Sequence, residues 1–145
     1  IDVIKKSLKI FDKLLVATTD NNDKDYFFSL DERLDIINNS LFRDLKFNKS
    51  KIKVISFSNL TIDLCRKYNA TAIIRGLRAV SDFEYEFQLA GMNKKLNPKI
   101  ETMFLMSDVE NQIISSKFVK EIANLGGDIE RFVTKYAVKM LKNKY

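Results

Sequence analysis

Short apolar runs at residues 13–19, 53–57, 70–74 and 102–106 punctuate this chain and fix the class of fold open to it. Each is too short for an ordinary helix and carries the aliphatic, β-branched and aromatic side chains of a buried strand. The stretches between them have helical spacing. Val3, Ile4, Leu8 and Phe11 mark a helix over 1–11, already under way at the first residue, so the chain reads as lacking its N-terminal start. Ser29-Leu30-Asp31-Glu32 is a capping box that opens a helix to about Leu41, and 60–68 reads as another. A second box, Ser81-Asp82-Phe83-Glu84, opens a helix to about Lys95. A helix from about Ser115 ends at Gly126-Gly127, and 129–141 forms a last, lysine-rich one. Short buried strands alternating with amphipathic helices predict an α/β domain, a parallel sheet covered on both faces.

Composition narrows the chemistry. With 145 residues, 46% of them hydrophobic, the chain is long enough for one domain with a sizeable core. It has no histidine, which removes His-based acid–base catalysis and His-type zinc sites. Its one cysteine, Cys65, cannot form an internal disulfide, fits a reducing compartment, and among Ile62, Leu64 and Tyr68 reads as a small core residue. No apolar run has the roughly 18 residues a membrane span needs, and no signal peptide is visible. A net charge of +6 favours anionic partners.

In open parallel sheets ligands bind beyond the carboxyl ends of the strands, which selects the segments 20–24, 58–61, 75–78 and 107–117. Arg75-Gly76-Leu77-Arg78 is the sharpest of these. Arginine grips phosphate oxygens with a planar fork that lysine lacks, and Gly76 allows a tight turn or a close approach. Glu86 lies one helical turn beyond Asp82, where it can reach a ribose or an amine. Ser115 and Ser116, followed by Lys117, stand where a helix begins, so they serve either as an ordinary cap or as an anion site. Lys24 has a plain reading as a solvated loop lysine, and Tyr26-Phe27-Phe28 reads as a core plug.

The run from Ile74 to Glu86, with Gln88-Leu89-Ala90 and Met92-Asn93 after it, resembles the bacterial phosphopantetheine adenylyltransferase family. The likeness continues through Phe104-Leu105-Met106 and Ile114-Ser115-Ser116, and back through Ser29-Leu30-Asp31-Glu32-Arg33, so it covers essentially the whole chain. The resemblance implies a Rossmann-like nucleotidyltransferase fold in a single domain over 1–145, N-terminally truncated. It implies transfer of AMP from ATP to 4′-phosphopantetheine, giving dephospho-coenzyme A and pyrophosphate, with Mg²⁺ bound through the ATP phosphates. The enzymes of the family are cytoplasmic and hexameric. By the family pattern Lys24, Thr61 and Arg75 contact phosphopantetheine, while Gly76, Leu77, Arg78, Glu86, Asn111, Gln112, Ile113, Ile114, Ser115, Ser116 and Lys117 contact ATP. Lys24 and Arg78 are the expected charge stabilisers.

Departures from the family pattern are specific. The family's N-terminal strand and Gly-His pair do not occur in the chain, which leaves it without the family's stabilising His and impairs the expected catalysis. Lys117 stands where a third Ser or Thr is usual, Asn111 where an aromatic is frequent, and Thr61 where an apolar residue is common. A cytidylyl- or nicotinamide-mononucleotide-type transferase is the nearest alternative. A basic module binding nucleic acid through its lysine-rich tail is a more distant one, because Val138, Met140 and Leu141 give that tail an ordinary core-facing side.

Overall fold

A computed structural model describes residues 1–20, 26–78 and 80–145, with the backbone alone at 80–82. The chain divides into two units, one built from Ile1–Phe11 and Phe57–Ile113, the other from Asp12–Ser56 and Ile114–Tyr145. Along the chain the elements are α1 (Asp2–Ser7), β1 (Leu14–Thr19), α2 (Leu30–Asn38), β2 (Ile52–Phe57), α3 (Thr61–Tyr68), β3 (Ala72–Leu77), α4 (Val80–Leu96), β4 (Glu101–Met106), α5 (Val109–Gln112), α6 (Ser116–Asn124) and α7 (Lys135–Lys142). The alternation expected from the apolar runs holds, with one extra helical turn, α5, in the segment after β4.

In the first unit β3 and β4 pair in parallel, in register from Ala72 opposite Glu101 to Leu77 opposite Met106. A parallel pair cannot be joined by a hairpin, and α4 is the crossover that connects them. The ladder runs one step past the strands, where the Ser107 N–H donates to the Leu77 carbonyl at 2.9 Å. Beneath them α3 turns Ile62, Leu64 and Cys65 inward, and Ile62 and Cys65 form a core cluster with Ile73 and Ile100. Burial pushes the Cys65 thiol up, which keeps it protonated and inert, as a core residue should be. The helix stops because Asn69 adopts a left-handed φ of 50°, from which the Ala70 N–H reaches back to the Cys65 carbonyl at 2.9 Å.

Helix α1 is shorter than its apolar spacing predicts: regular helix ends at Ser7, and turns complete the stretch. It packs on both strands of this unit, and polar contacts fasten it to the end of β4. Lys6 Nζ donates to Asp2 at 3.0 Å, to Asp108 at 2.7 Å and to the Met106 carbonyl at 2.6 Å. Asp2 in turn accepts from the Asp108 N–H at 2.8 Å. This backbone donor, followed by the Lys6 side chain, holds the Asp2 carboxyl below the usual carboxylate range; the hydrogen bond to Asp108 raises the Lys6 ammonium.

In the second unit β1 lies beside β2. The expected capping box is present: Glu32 N–H donates to Ser29 Oγ at 3.2 Å, and Ser29 N–H to the Glu32 carboxylate at 2.8 Å. That N–H, with help from Lys144, holds the Glu32 carboxyl low. Helix α2 then continues as a π-helical turn over Asn39–Asp44, after which Lys46 takes a left-handed φ of 56°. Helix α6 ends at the glycine pair: Gly126 has φ +75°, its N–H reaches the Ala123 carbonyl at 3.0 Å, and the Gly127 N–H reaches Ile122 at 2.8 Å. This is a Schellman closure.

The last helix starts later than predicted. Residues 129–134 are turns; Ile129 has no exposed surface and belongs to the core with Val119, Val138 and Leu141, against which Phe27 and Phe28 pack. Asp128 accepts from the Glu130 N–H at 2.9 Å, and Thr134 caps α7 through the Ala137 N–H. These two side-chain acceptors satisfy backbone donors along the path that seats Ile129 in that core.

Two outcomes follow from these packings. Gly126→Ala forces a methyl-bearing residue into the left-handed region and should cost about 1 to 2 kcal/mol, read as a lower denaturant midpoint with unchanged slope. Asp2→Asn should lower the melting temperature at neutral pH. Because the folded carboxyl is held below its unfolded value, that contribution is present above about pH 4 and is lost as pH falls through the folded value. The gap between Asp2→Asn and the parent protein should therefore close in acid.

Candidate active site

The first unit brings Arg75, Gly76 and Leu77 to the carboxyl end of its parallel pair. The apolar run predicts a strand over 70–74 with 75–78 as the loop after it; pairing with β4 instead carries the strand through Leu77, and only Arg78 stands beyond it. The Leu77 side chain is buried, so it serves the core. Gly76 makes its close approach to protein: a Cβ there would lie 2.7 Å from Val3 Cγ2 of α1. The glycine whose sequence reading is a tight turn or a close approach to a ligand lies inside β3, next to its end, and lets a helix settle on the sheet.

Arg75 is aimed by Glu86. Its Nε donates to Oε2 at 2.7 Å and its Nη2 to Oε1 at 2.5 Å, a two-point fork from β3 to α4. Glu86 is only 9% exposed, whereas the Arg75 side chain is 43% exposed. A carboxylate that far from solvent needs a partner, and a bidentate guanidinium is the most effective one. The bond to Glu86 raises Arg75 further above its ordinary value. Neither bond engages Nη1 of Arg75, and the guanidinium stays half-exposed and permanently charged. Sequence spacing placed Glu86 toward a ribose or an amine; here both its oxygens act on Arg75. Arg78 is exposed and has a partner of its own. Thr61 is the first residue of α3, with Leu60 before it as a cap that offers no side-chain acceptor.

Asn111 and Gln112 lie on the short helix α5, and Ile113 follows it, highly exposed. Gln112 Nε2 donates to the Ser107 carbonyl at 3.1 Å, and the Asn111 N–H to the Asp108 carbonyl at 2.8 Å. The start of this segment is the part gripped by Asp2 and Lys6. Sequence reasoning assigned neither of these residues a role, although the four-residue spacing of opposite charges on α1 was available as a signal.

In the second unit Ile114 packs into the core, and Ser115 Oγ accepts from the Phe118 N–H at 3.2 Å. Ser115 is thus the plain cap of α6, and the exposed Ser116 and Lys117 open the helix with first-turn N–H groups that no turn precedes. Lys24 lies outside the described residues. The chain leading to it is held by Arg33, whose Nη1 donates to Thr18 Oγ1 at 3.1 Å and to the Thr19 carbonyl at 2.7 Å, with its guanidinium 3.9 Å over the Tyr26 ring. Arg33 Nε and Tyr26 Oη are buried without a hydrogen-bond partner among the described residues. The likeness of residues 29–33 to a family motif had flagged Arg33, without a function for it.

Cations and N–H donors at strand ends, with a buried carboxylate aiming one of them, suit the binding of phosphate groups. Comparison with known proteins gives the family. Residues 1–122 match the model of the cytidylyltransferase-like family. A phosphopantetheine adenylyltransferase of Pelagibacter ubique is 65% identical over 145 residues, all of this chain and 88% of that protein. Enzymes of the same name from Roseobacter denitrificans and from Janthinobacterium sp. (strain Marseille) are 46% and 48% identical, each over 99% of this chain and over 87% and 86% of their own lengths. The α/β fold with its parallel pair is of the Rossmann type expected, and the chain belongs to the cytidylyltransferase-like family and, within it, to the phosphopantetheine adenylyltransferases.

Proposed function

We propose that this chain transfers the adenylyl group of ATP to 4′-phosphopantetheine, yielding dephospho-coenzyme A and pyrophosphate in coenzyme A biosynthesis. The observation that carries the reading furthest is the Arg75–Glu86 fork at the carboxyl end of β3, set within a sequence 65% identical to an enzyme of that name. An acceptor phosphate oxygen attacks the α-phosphorus, the bond from that phosphorus to the bridging β-phosphate oxygen breaks, and pyrophosphate departs with its electron pair. A phosphate monoester with a second pKa of about 6 is largely ionised at neutral pH, so the nucleophile needs no general base.

The work left to the protein is alignment and neutralisation of charge. Arg75, with Thr61 and Lys24, takes the acceptor. Gly76, Leu77, Arg78 and Glu86 take ATP, together with Asn111, Gln112, Ile113, Ile114, Ser115, Ser116 and Lys117. Lys24 and Arg78 offset the charge that builds up in the transition state. Within this set Leu77 and Gly76 contribute backbone, Glu86 contributes by holding Arg75, and Ser115 contributes by capping α6. Mg²⁺ fits as the companion of the triphosphate, held by phosphate oxygens and water; cations and N–H donors such as these face phosphate, not metal.

The chain acts as one nucleotidyltransferase domain in the cytoplasm, a location in keeping with its single, buried thiol. We also place it in a homo-oligomer, a hexamer by its resemblance. Exposed Phe83 and Phe87 on one side of α4, and Tyr85 and Met92 on another, are apolar side chains that further copies would cover.

The test of the reaction uses the protein from its complete gene and a panel of ATP or CTP with phosphopantetheine or nicotinamide mononucleotide. Pyrophosphate should appear only with ATP and phosphopantetheine; release with another pair reassigns the substrate. Arg78→Lys should slow turnover by roughly 10² to 10³, and Lys142→Ala should leave it unchanged. Equal effects would remove Arg78 from the chemistry. Sedimentation of Phe87→Glu/Met92→Glu should show smaller species than the parent protein, and an unchanged assembly would place the interface elsewhere.

A further inference from the structure

The second unit carries a basic depression that the proposed reaction does not use. It is an open cavity of about 340 Å³ lined by Asn38, Asn39, Phe42, Arg43, Lys46 and Lys49. It is formed by the π-helical turn over Asn39–Asp44 and the connection that follows, so the wider π turn and the left-handed Lys46 bring together cations that a regular helix would distribute around its axis. Among the described residues none of Arg43, Lys46 and Lys49 has a carboxylate within salt-bridge distance. The nearby acids are otherwise engaged: Asp35 accepts from Asn39 Nδ2 and from the Tyr136 hydroxyl, and Asp44 from the Tyr136 N–H at 2.7 Å. Lys49 Nζ stands 5.5 Å from the centre of the Phe42 ring, so one wall is apolar and bears a cation.

Cations of like sign facing one cavity repel one another until an anion enters. An arginine fork beside two ammonium groups matches the dense, multiple charge of linked phosphoryl groups better than a single carboxylate. Carboxamides at the rim add neutral hydrogen bonds, and the Phe42 wall accommodates a ring or a chain carried by the phosphates.

We propose that this depression is an anion-binding site, separate from the residues assigned to adenylyl transfer, for ligands with two or three linked phosphoryl groups, either free polyphosphate or the phosphate chain of a nucleotide. The proposal stands independently of the reaction assigned above, since it rests on residues 38–49 alone.

The test is titration calorimetry of the full protein with tripolyphosphate, and separately with ATP, on a Arg78→Gln background that weakens the proposed nucleotide contacts. Tripolyphosphate should bind saturably at one site per chain. Arg43→Gln/Lys46→Gln/Lys49→Gln should weaken it by about tenfold or more, while Lys9→Gln/Lys95→Gln/Lys99→Gln, which removes the same charge at other exposed positions, should change it little. ATP competing with tripolyphosphate would assign the site to nucleotides, and tripolyphosphate binding alone would assign it to free polyphosphate. Absence of saturable binding, or equal loss in the two triple variants, would overturn the site and reduce the depression to a solvated basic face. Neither result bears on pyrophosphate release from ATP and phosphopantetheine, so the two readings fail separately.

Discussion

The parallel pairing of β3 with β4 is the constraint on which the first unit depends. Parallel strands need a crossover, and α4 provides it, so the residues just past β3 must enter a helix at once. Arg75 and Glu86 meet because one lies on the strand and the other on that crossover. The same pairing holds the carboxyl ends of both strands in line, Leu77 opposite Met106, so the segments that follow them leave from one end. A single-residue slip in this register would reverse the facing of Arg75 and Gly76 together.

Helix α1 turns that pairing into a rigid base. It approaches Gly76 so closely that a methyl group would collide with Val3, and its Asp2 and Lys6 bind the backbone of residues 106–108. Exposed ion pairs contribute little to stability. This group differs in that two of its acceptors and donors are main-chain atoms at a strand end, and its effect is to fix a direction. The Arg33 node in the second unit has a similar form: a guanidinium stacked on Tyr26 holds the main chain where β1 ends. In both units a charged side chain from a helix sets the exit path of a strand.

Much of the fold was readable from local pattern because the causes are local. The Ser29–Glu32 box is satisfied within one turn, the Gly126-Gly127 pair closes α6 through its own last carbonyls, and the short apolar runs carry the aliphatic, β-branched and aromatic side chains of buried strands. The errors share a cause of the opposite kind. Strand β3 gains Arg75, Gly76 and Leu77 because β4 pairs with them, and residues 129–134 leave the helix because Ile129 is drawn into a core made by Val119, Val138 and Leu141. Periodicity has no access to either partner.

The sequence by itself determined the residue types of the candidate site: arginines beside a glycine after a strand, serines before a helix, and a family likeness along the whole chain. Only the tertiary structure decided what those residues touch. It gave both oxygens of Glu86 to Arg75, turned Gly76 toward a helix, assigned Ser115 to capping, and gathered Arg43, Lys46 and Lys49 around one depression. The physical reason is one of range. Propensity, capping and charge spacing act over a few residues and are written in order along the chain, whereas the partner of a buried carboxylate or the neighbour of a missing Cβ is set by which distant segments the core has packed side by side.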